Sequence, residues 1–357
     1  MTRAASETPP AITLRTLTDG GQTASAVASE LGAFIEAARE RLDIAIYDVK
    51  LGAETAAPVS LAVRAATARG VAVRIAYNVD HDRPIAVPPP PRTDPGLIAE
   101  LGVPSVAVPG TPDLMHHKYV VRDRRTVWTG STNWTDDSWS REENLIVTVD
   151  STELASAFEH DFDQLWHSHC VAESGDVDPR SLRIGEVSVR AWFCPEHGAE
   201  LSHRIARAIG RTRRRVRIAS PVITSGPILG TLAEVAADGK VDVAGVVDAT
   251  QIQEVYGQWR ARERTRWKLT SLAQIFTSAP FTGKRSTPYS PTSVHDYMHA
   301  KAVVVDDTAF VGSFNLSHSG EMNAENVLEI EHAATCSRLA AFIDEVRSEY
   351  PAAPLPP

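Results

Sequence analysis

The chain of 357 residues is 43% hydrophobic and 23% charged, an ordinary globular composition that excludes a disordered or collagen-like protein. Its 36 lysines and arginines against 45 aspartates and glutamates give a net charge of −9, which weakly disfavours nonspecific binding to duplex nucleic acid. Three cysteines are too few for a disulfide framework. No apolar run is long enough to cross a bilayer, and residues 1–10 lack the apolar core of a secretory signal, so we expect a cytoplasmic protein.

The first half of the chain alternates between predicted helices and strands. A helix runs into a buried strand over residues 31–50, and a second helix leads to an apolar strand over 71–79. A proline run at 88–91 predicts a stiff surface loop, because proline cannot join a central strand. The segment 115–135 then has the pattern strand, turn, strand, and a helix over 151–167 closes this half.

The second half repeats this order. A helix and strand over 202–223 precede a strand over 241–249, a strand–turn–strand segment over 298–317 and a helix over 334–349. Helices that alternate with strands predict the α/β fold class, with mixed, largely parallel sheets flanked by helices. We therefore expect two similar α/β lobes related by pseudo-twofold symmetry.

The polar segment 170–181 interrupts the periodic pattern and marks the predicted boundary. We place the first lobe at residues 11–178 and the second lobe at residues 179–350. Residues 1–10 and 351–357 are predicted to be disordered.

The two strand–turn–strand segments carry the same residues in the same order. His116, Lys118 and Asp123 recur 183 positions later as His299, Lys301 and Asp306. After a deletion of one residue, a second set recurs 182 positions later: Gly130, Ser131, Asn133 and Glu143 match Gly312, Ser313, Asn315 and Glu325. Seven matched positions with a single slip indicate an internal duplication.

The repeated residue types are those that phosphoryl transfer needs. Residues two apart on a strand point to the same face, so His116 projects with Lys118, and His299 projects with Lys301. Histidine can act as a nucleophile or as an acid or base near neutral pH, and lysine and asparagine donate hydrogen bonds to phosphoryl oxygens. No residues with metal-ligand spacing accompany them, so we expect neither a metal nor a cofactor. Two copies that face one cleft would place a histidine on each side of a phosphorus atom.

The pattern HxKxxxxD followed by GSxN, present twice, resembles the phospholipase D superfamily of phosphodiesterases, and the flanking elements extend the resemblance over nearly the whole chain. The resemblance implies a metal-independent reaction in two steps. One histidine attacks phosphorus to form a phosphohistidine, and the other protonates the leaving oxygen. It assigns the nucleophile to His116 and the acid and base roles to His299, although the near-symmetry of the halves leaves this order open.

The resemblance also implies roles for the other repeated residues. Four of them would hold the phosphate: Lys118, Lys301, Asn133 and Asn315. Two serines, Ser131 and Ser313, would line the turn. Glu143 and Glu325 would each hold the second ring nitrogen of an imidazole, which fixes the tautomer and raises basicity. Asp123 and Asp306 would support the motifs without touching the substrate.

The sequence leaves the substrate open between two classes. The first is a phospholipid whose headgroup is released, with contact to a membrane surface; the alternative is DNA or RNA. The arginine- and tryptophan-rich segment 259–268 favours nucleic acid, whereas the net charge opposes it. His295, close to the second motif, is a further candidate for the cleft. A catalytically silent scaffold is disfavoured because both motifs are intact, and dimerisation is not required because one chain supplies both.

Overall fold

The computed structural model describes residues 11–81, 87 and 89–356. The predicted disorder of residues 1–10, and Pro88 of the predicted proline loop, lie outside the described residues.

The first half of the chain builds one large sheet and the helices that cover it. Its strands are β1 (Ile12–Leu17), β2 (Arg41–Ile46), β3 (Val49–Lys50), β4 (Ala72–Val79), β5 (Ser105–Pro109), β6 (Lys118–Arg122), β7 (Thr126–Gly130), β8 (Trp134–Thr135) and β9 (Asn144–Asp150). Its helices are α1 (Ala24–Glu36), α2 (Ala53–Ala68), α3 (Pro95–Glu100), α4 (Asp136–Ser140) and α5 (Thr152–Ser168).

The second half builds a second sheet in the same way. Its strands are β10 (Ser181–Ile184), β11 (Val187–Cys194), β12 (Arg215–Ala219), β13 (Asp242–Asp248), β14 (Phe281–Lys284), β15 (Ala302–Val305), β16 (Thr308–Gly312) and β17 (Glu325–Glu331). Its helices are α6 (Gly198–Arg211), α7 (Gly226–Asp238), α8 (Ala249–Arg260), α9 (Arg266–Ser278), α10 (His318–Met322) and α11 (Ala333–Ser348).

The two sheets have matching strand orders. The first sheet runs β1-β9-β7-β6-β2-β4-β5, and the second runs β10-β11-β17-β16-β15-β12-β13-β14. Within these two sheets the parallel pairs are confined to β2-β4-β5 and β12-β13-β14, and the other neighbours run antiparallel. The short strands β3 and β8 form a separate two-stranded parallel sheet. Mixed sheets flanked by helices agree with the predicted fold class. The parallel part is smaller than the helix–strand alternation suggests, because tight turns join β6 to β7 and β15 to β16, and a tight turn requires an antiparallel pair.

The lobes share a hydrophobic core. One cluster lies under α1 and α2 and another under α6 and α7, while a third cluster combines residues of both halves. In this third cluster Phe158 of α5 meets Phe193 of β11 with ring centroids 4.9 Å apart. The strands of the first sheet end at Asp150 and those of the second begin at Ser181, and we retain residues 11–178 and 179–350 as the proposed lobes.

The first residues of the tail predicted to be disordered, 351–353, are held by hydrogen bonds to a strand. Gly283 N donates to the carbonyl of Pro351 at 2.8 Å, and Ala353 N donates to the carbonyl of Phe281 at 2.9 Å. The tail thereby pairs with β14, the last strand of its sheet, whose outer backbone groups would otherwise lack partners. An alanine- and proline-rich composition gives no sign of this pairing, because the order depends on a distant strand.

Candidate active site

Each repeated segment is anchored by its aspartate. Asp123 and Asp306 lie in the hairpin turns with φ of 54° and 52°, a left-handed conformation that aspartate tolerates better than most residues. The Asp123 carboxylate accepts hydrogen bonds from the backbone N–H groups of residues 39–41 at 2.7–3.1 Å. The Asp306 carboxylate accepts the same three bonds from residues 213–215 at 2.9–3.0 Å. Both aspartates tie a hairpin to the start of a central strand, β2 or β12, in agreement with a supporting role.

The two motif histidines line one cavity at the junction of the lobes. His116 N donates to the carbonyl of Ala324 at 2.9 Å, and His299 N donates to the carbonyl of Glu143 at 3.1 Å, so each histidine is attached to the other lobe. Asn133 and Asn315 also line this cavity. The structure thus brings together the histidines and asparagines that the sequence places 182 and 183 positions apart.

His116 is held by a carboxylate from the other lobe. Its Nδ1 lies 2.9 Å from Glu325 Oε2, and both side chains are buried. Burial lowers the pKa of His116 well below its usual value, and the neighbouring Lys118 lowers it further. A neutral His116 that donates from Nδ1 to Glu325 carries its lone pair on Nε2, where it is available to a substrate. Burial raises the pKa of Glu325 to about 7, with Lys118 acting in the opposite direction.

His299 is held differently. Its Nδ1 lies 3.2 Å from Asn144 Oδ1 and 3.3 Å from Glu142 Oε2. Burial again lowers the pKa of the histidine, followed by the charge of Lys301. The acid that approaches this ring is therefore Glu142, which the sequence comparison did not identify.

The prediction that Glu143 supports a histidine ring is wrong. Its carboxylate instead binds Lys284 Nζ at 3.0 Å and accepts a hydrogen bond from the Tyr350 hydroxyl. Successive residues of an extended segment point in opposite directions, so Glu143 faces away from the side that Glu142 and Asn144 share. The two halves were aligned one residue out of register at this point, and a one-residue shift selects a side chain on the opposite face. This shift accounts for the choice of Glu143 instead of Glu142.

The backbone hydrogen bonds between strands show that the two lobes differ by a second one-residue deletion, between the motif serine and the acid. Ser131 N donates to the carbonyl of Leu145, whereas Ser313 N donates to the carbonyl of Asn326, so these acceptors are equivalent and 181 positions apart. Asn144 therefore corresponds to Glu325, and Glu142 corresponds to Asn323. The acid and the amide have exchanged places between the lobes. In both lobes the amide donates to the acid: Asn144 Nδ2 to Glu142 at 2.9 Å, and Asn323 Nδ2 to Glu325 at 3.3 Å.

The two motif lysines lie beneath the histidines. Lys118 Nζ and Lys301 Nζ each donate to the carbonyl of their own motif histidine at 2.6 Å, and both side chains are buried. Burial lowers the pKa of Lys118 to about 7 and that of Lys301 well below its usual value. A bound anion would stabilise the charged form of both lysines, so the site favours an anionic ligand.

The remaining repeated residues separate into two groups. Asn133 Oδ1 and Asn315 Oδ1 are buried in the cavity wall without a hydrogen-bond partner among the described residues. Ser131 Oγ donates to Asn144 Oδ1 at 2.6 Å, and Ser313 Oγ accepts from Asn326 N at 3.0 Å. The serines therefore fix the turns next to the cavity, and the asparagines face it.

Three further side chains of the second lobe line the cavity: Gln251, His295 and Tyr297. His295 was a candidate from the sequence. Tyr297 lies two residues before His299, so the same alternation that pairs His299 with Lys301 could have identified it. Nothing in the sequence distinguishes Gln251, which the first turn of α8 brings to the site.

A larger cavity adjoins the first. Gln251 and Asn315 line both cavities. Trp259, Arg262 and Lys268 of the arginine- and tryptophan-rich segment also line the larger cavity. This segment spans the end of α8, a short turn and the start of α9, and Trp259 is buried in the core.

Two lobes that each contribute a motif histidine and a motif asparagine to one shared cavity define a protein of the phospholipase D class. The family described as "Cardiolipin synthase, PLD-like domain" matches residues 31–166 and 205–347, and the chain belongs to this family of the phospholipase D superfamily. Members of the superfamily are phosphodiesterases.

Curated relatives match a part of the chain. The mitochondrial cardiolipin hydrolase of Homo sapiens is 31% identical over 131 residues, which cover 36% of this chain and 47% of the relative. The protein of the same name from Xenopus laevis is 34% identical over 98 residues, which cover 27% of this chain and 44% of the relative. The chain spans about half the length of these relatives.

Solved structures share the fold over nearly the whole chain. The phosphatidylserine synthase of Haemophilus influenzae Rd KW20 superposes with a TM-score of 0.64 at 13% identity, covering 94% of this chain and 86% of that one. The polyphosphate kinase of Porphyromonas gingivalis gives a TM-score of 0.56 at 12% identity, covering 93% of this chain and 46% of that one. At these identities the likeness shows the fold alone.

Proposed function

We propose that the protein is a phosphodiesterase of the phospholipase D type that releases the headgroup of a phospholipid through a phosphohistidine intermediate, without a metal ion. The observation that carries this proposal is the pair of buried histidines in one cavity. Each has its Nδ1 held by the opposite lobe, and each has a buried lysine bound to its own carbonyl.

In the proposed first step, His116 Nε2 attacks phosphorus and the bond from phosphorus to the headgroup oxygen breaks. The negative charge of the bound phosphate favours the protonated form of His299, which burial disfavours in the free protein. His299 then gives its proton to the leaving oxygen, so the alcohol departs neutral. In the second step His299 takes a proton from water, whose oxygen attacks phosphorus and releases His116. The product is the phosphate monoester. Lys118, Lys301, Asn133 and Asn315 stabilise the charge on the non-bridging oxygens throughout.

The lysines and asparagines also support the metal-free part of the proposal. Within the described ranges, no group of three or more histidine, cysteine, aspartate or glutamate side chains is arranged to hold a metal ion. The positive charge next to the phosphate would then come from the two buried lysines.

A phospholipid is favoured by the matched family and by the 31% identity to a cardiolipin hydrolase. Two exposed hydrophobic side chains also support contact with a membrane surface: Val294 is 41% exposed beside His295, and Trp267 is 48% exposed beside Lys268. His295 and Lys268 line the two cavities, so each exposed side chain is the sequence neighbour of a cavity-lining residue. Of the helices in the described part of the chain, none combines the length and the apolar sequence needed to cross a membrane. The cytoplasmic location stays a prediction.

A nuclease of the same superfamily is the second candidate, and the larger cavity favours it. Arg262 and Lys268 line this cavity, and Lys268 Nζ lies 5.8 Å from the ring centroid of Trp267. A cationic groove next to an exposed aromatic ring suits a nucleic-acid strand, because phosphates bind the cations and bases stack on the ring.

The experiment that tests the proposal offers the purified protein phosphatidylglycerol, phosphatidylcholine, single-stranded DNA, duplex DNA and RNA, each in excess EDTA. We expect release of a headgroup alcohol, and a ³²P label on the protein after quenching of a reaction with labelled phospholipid. Cleavage of nucleic acid without headgroup release would establish the nuclease instead. Complete loss of activity on chelation would contradict the metal-free mechanism.

A further inference from the structure

A strongly positive segment connects α8 to α9. Residues 260–268 contain five cations and one acid, Glu263, in a chain whose net charge is −9. Three arginine side chains of this segment are exposed and form no hydrogen bond or ion pair with another described residue: Arg262, Arg264 and Arg266. Cations that the fold does not neutralise leave a local positive field on a negatively charged protein, and this field can attract an anionic partner.

The positive segment is fixed beside the larger cavity. Arg262 and Lys268 line this cavity, and Lys268 Nζ donates to the carbonyl of Thr224 at 2.7 Å. A methyl group on Gly226 would lie 3.8 Å from the ring of Trp267, so this ring rests against the start of α7, and Trp267 is still 48% exposed. The segment therefore presents its arginines and one aromatic ring from a defined place in the second lobe.

Another element of the same cavity carries a second exposed hydrophobic side chain. His318 of α10 lines the cavity, and Met322, one helical turn further along, is 46% exposed. Ser225 Oγ donates to Glu321 Oε1 at 2.9 Å, so the loop that binds the positive segment also holds α10. Of the five large hydrophobic side chains that are exposed among the described residues, two therefore belong to elements that line this one cavity.

Exposed cations combined with exposed apolar side chains fit the surface of an anionic bilayer. Arginine and lysine are attracted by anionic headgroups, while tryptophan and methionine can enter the boundary between headgroups and acyl chains. A nucleic-acid strand fits less well, because successive bases need successive aromatic rings for stacking. Trp267 is the only large aromatic side chain that is exposed among the described residues, and Met322 has no ring.

We propose that the positive segment, together with Trp267 and Met322, forms a docking surface for an anionic phospholipid bilayer. The proposal rests on the proposed phospholipid activity and names the face of the protein that meets the lipid. Docking there would set the larger cavity, which adjoins the catalytic cavity through Gln251 and Asn315, on the membrane.

The chain provides a matched control in a second basic segment. Arg211 and Arg213 are exposed, like Arg264 and Arg266, but they precede β12, whereas Pro221, which follows β12, lines the catalytic cavity. The two arginine pairs therefore differ in place and not in charge. Reversal of either pair to glutamate changes the net charge by the same amount.

The test measures sedimentation with vesicles of phosphatidylcholine and with vesicles of equal parts phosphatidylcholine and phosphatidylglycerol, at physiological ionic strength. We expect the wild-type protein to bind the mixed vesicles and not the neutral ones. Arg264→Glu combined with Arg266→Glu should lower this binding at least about 25-fold, because each arginine at an anionic surface contributes about fivefold. Arg211→Glu combined with Arg213→Glu should lower it less than about threefold, because salt screens distant charges. Equal losses in the two double variants would overturn the docking surface.

Fluorescence and catalysis provide two further readouts. Among the described tryptophans only Trp267 is exposed, so brominated lipid in the mixed vesicles should quench part of the wild-type emission. Trp267→Phe should lose most of this quenching, and unchanged quenching would place the membrane contact elsewhere and overturn the proposal. Arg264 and Arg266 line neither cavity, so their reversal should leave the hydrolysis of dissolved bis(4-nitrophenyl) phosphate unchanged.

Other outcomes separate the docking surface from the proposed function. If reversal of Arg264 and Arg266 leaves vesicle binding unchanged but weakens binding to a labelled single-stranded oligonucleotide, the surface binds nucleic acid and the proposal is wrong. If the wild-type protein hydrolyses dissolved short-chain phosphatidylglycerol and the reversal leaves vesicle binding unchanged, the activity stands and the docking surface alone is wrong. If the wild-type protein binds the mixed vesicles through this pair but releases no headgroup alcohol from any phospholipid, the docking surface stands and the phospholipid activity is wrong.

Discussion

The two halves of the molecule carry the same reactive residues but hold their histidines in different ways. A carboxylate, Glu325, contacts His116 Nδ1 directly at 2.9 Å. An amide oxygen, that of Asn144, is nearest to His299 Nδ1 at 3.2 Å, and the acid Glu142 lies at 3.3 Å. The acid and amide occupy exchanged positions in equivalent segments, so a near-symmetric fold surrounds two histidines in different environments.

This difference helps to decide which histidine is the proposed nucleophile and which is the proposed acid and base. A carboxylate hydrogen-bonded to Nδ1 raises the electron density at Nε2 and stabilises positive charge on the ring, which suits the residue that becomes covalently bonded to phosphorus. A neutral amide gives less of this stabilisation, which suits a residue that must give up a proton as readily as it takes one. The geometry supports His116 as the proposed nucleophile.

Removal of each histidine gives the largest expected effect and tests the comparison directly. His116→Asn should abolish turnover of bis(4-nitrophenyl) phosphate and prevent any ³²P label on the protein. His299→Asn should lower the rate about 10²- to 10⁴-fold, the contribution of a general acid or base, and still allow the label to form with a good leaving group. The label is measured after acid-free quenching, with circular dichroism as the control for folding. Labelling of His116→Asn but not of His299→Asn would reverse the two roles.

Neutralising the acids one at a time should rank them by their contact with the rings. We expect Glu325→Gln to lower kcat about 10- to 100-fold and Glu142→Gln to lower it less, because an amide already contacts His299. Glu143→Gln is the matched control: its carboxylate binds Lys284 and Tyr350, so kcat should change less than about threefold while thermal stability falls. A larger kinetic effect for Glu143→Gln than for Glu142→Gln would contradict the assigned contacts.

The pH dependence should sharpen the comparison further. Lys118, with a pKa of about 7, must be protonated to bind an anion, so kcat/KM should fall as the pH rises above about 7. Glu325, also with a pKa of about 7, must be ionised to support His116, so kcat/KM should fall as the pH drops below about 7. Together the two limbs give a narrow bell-shaped dependence of kcat/KM on pH, centred near neutral pH. Because Lys118 and Glu325 interact, its two apparent pKa values describe the pair and not the single residues. Glu325→Gln should flatten the acid limb and keep the alkaline one; an unchanged acid limb would assign it to another group.

The smallest expected effect is on stability, at the two hairpin aspartates, whose hydrogen bonds are the same in both halves. Asp123→Asn and Asp306→Asn each weaken three hydrogen bonds to consecutive backbone N–H groups, and each should lower the free energy of unfolding by about 1–2 kcal/mol. Denaturant unfolding of both variants checks this. A difference of more than about 1 kcal/mol between them would show that the hairpins are less equivalent than their geometry indicates.

The sequence was informative where chemistry and spacing coincide. The duplicated histidines, lysines and asparagines could be found from register alone, and with them the two-lobed fold. Glu142 could not be assigned from register, because a second deletion shifts the match to 181 positions and strand parity then decides which of two adjacent acids faces the ring. Gln251 and the pairing of the tail with β14 depend on tertiary contacts that leave no local pattern. The extent of parallel pairing was overestimated because tight turns join β6 to β7 and β15 to β16, which makes these pairs antiparallel.

The attachment of each histidine to the opposite lobe also sets the order in which activity can appear during synthesis. His116 and Glu325 are 209 residues apart, and His299 and Asn144 are 155 residues apart. A first lobe that folds as it leaves the ribosome would carry a nucleophile without its carboxylate and would remain inactive until β17 has emerged and joined its sheet. The growing chain would therefore acquire the proposed activity in a single late event, after most of its length has been translated.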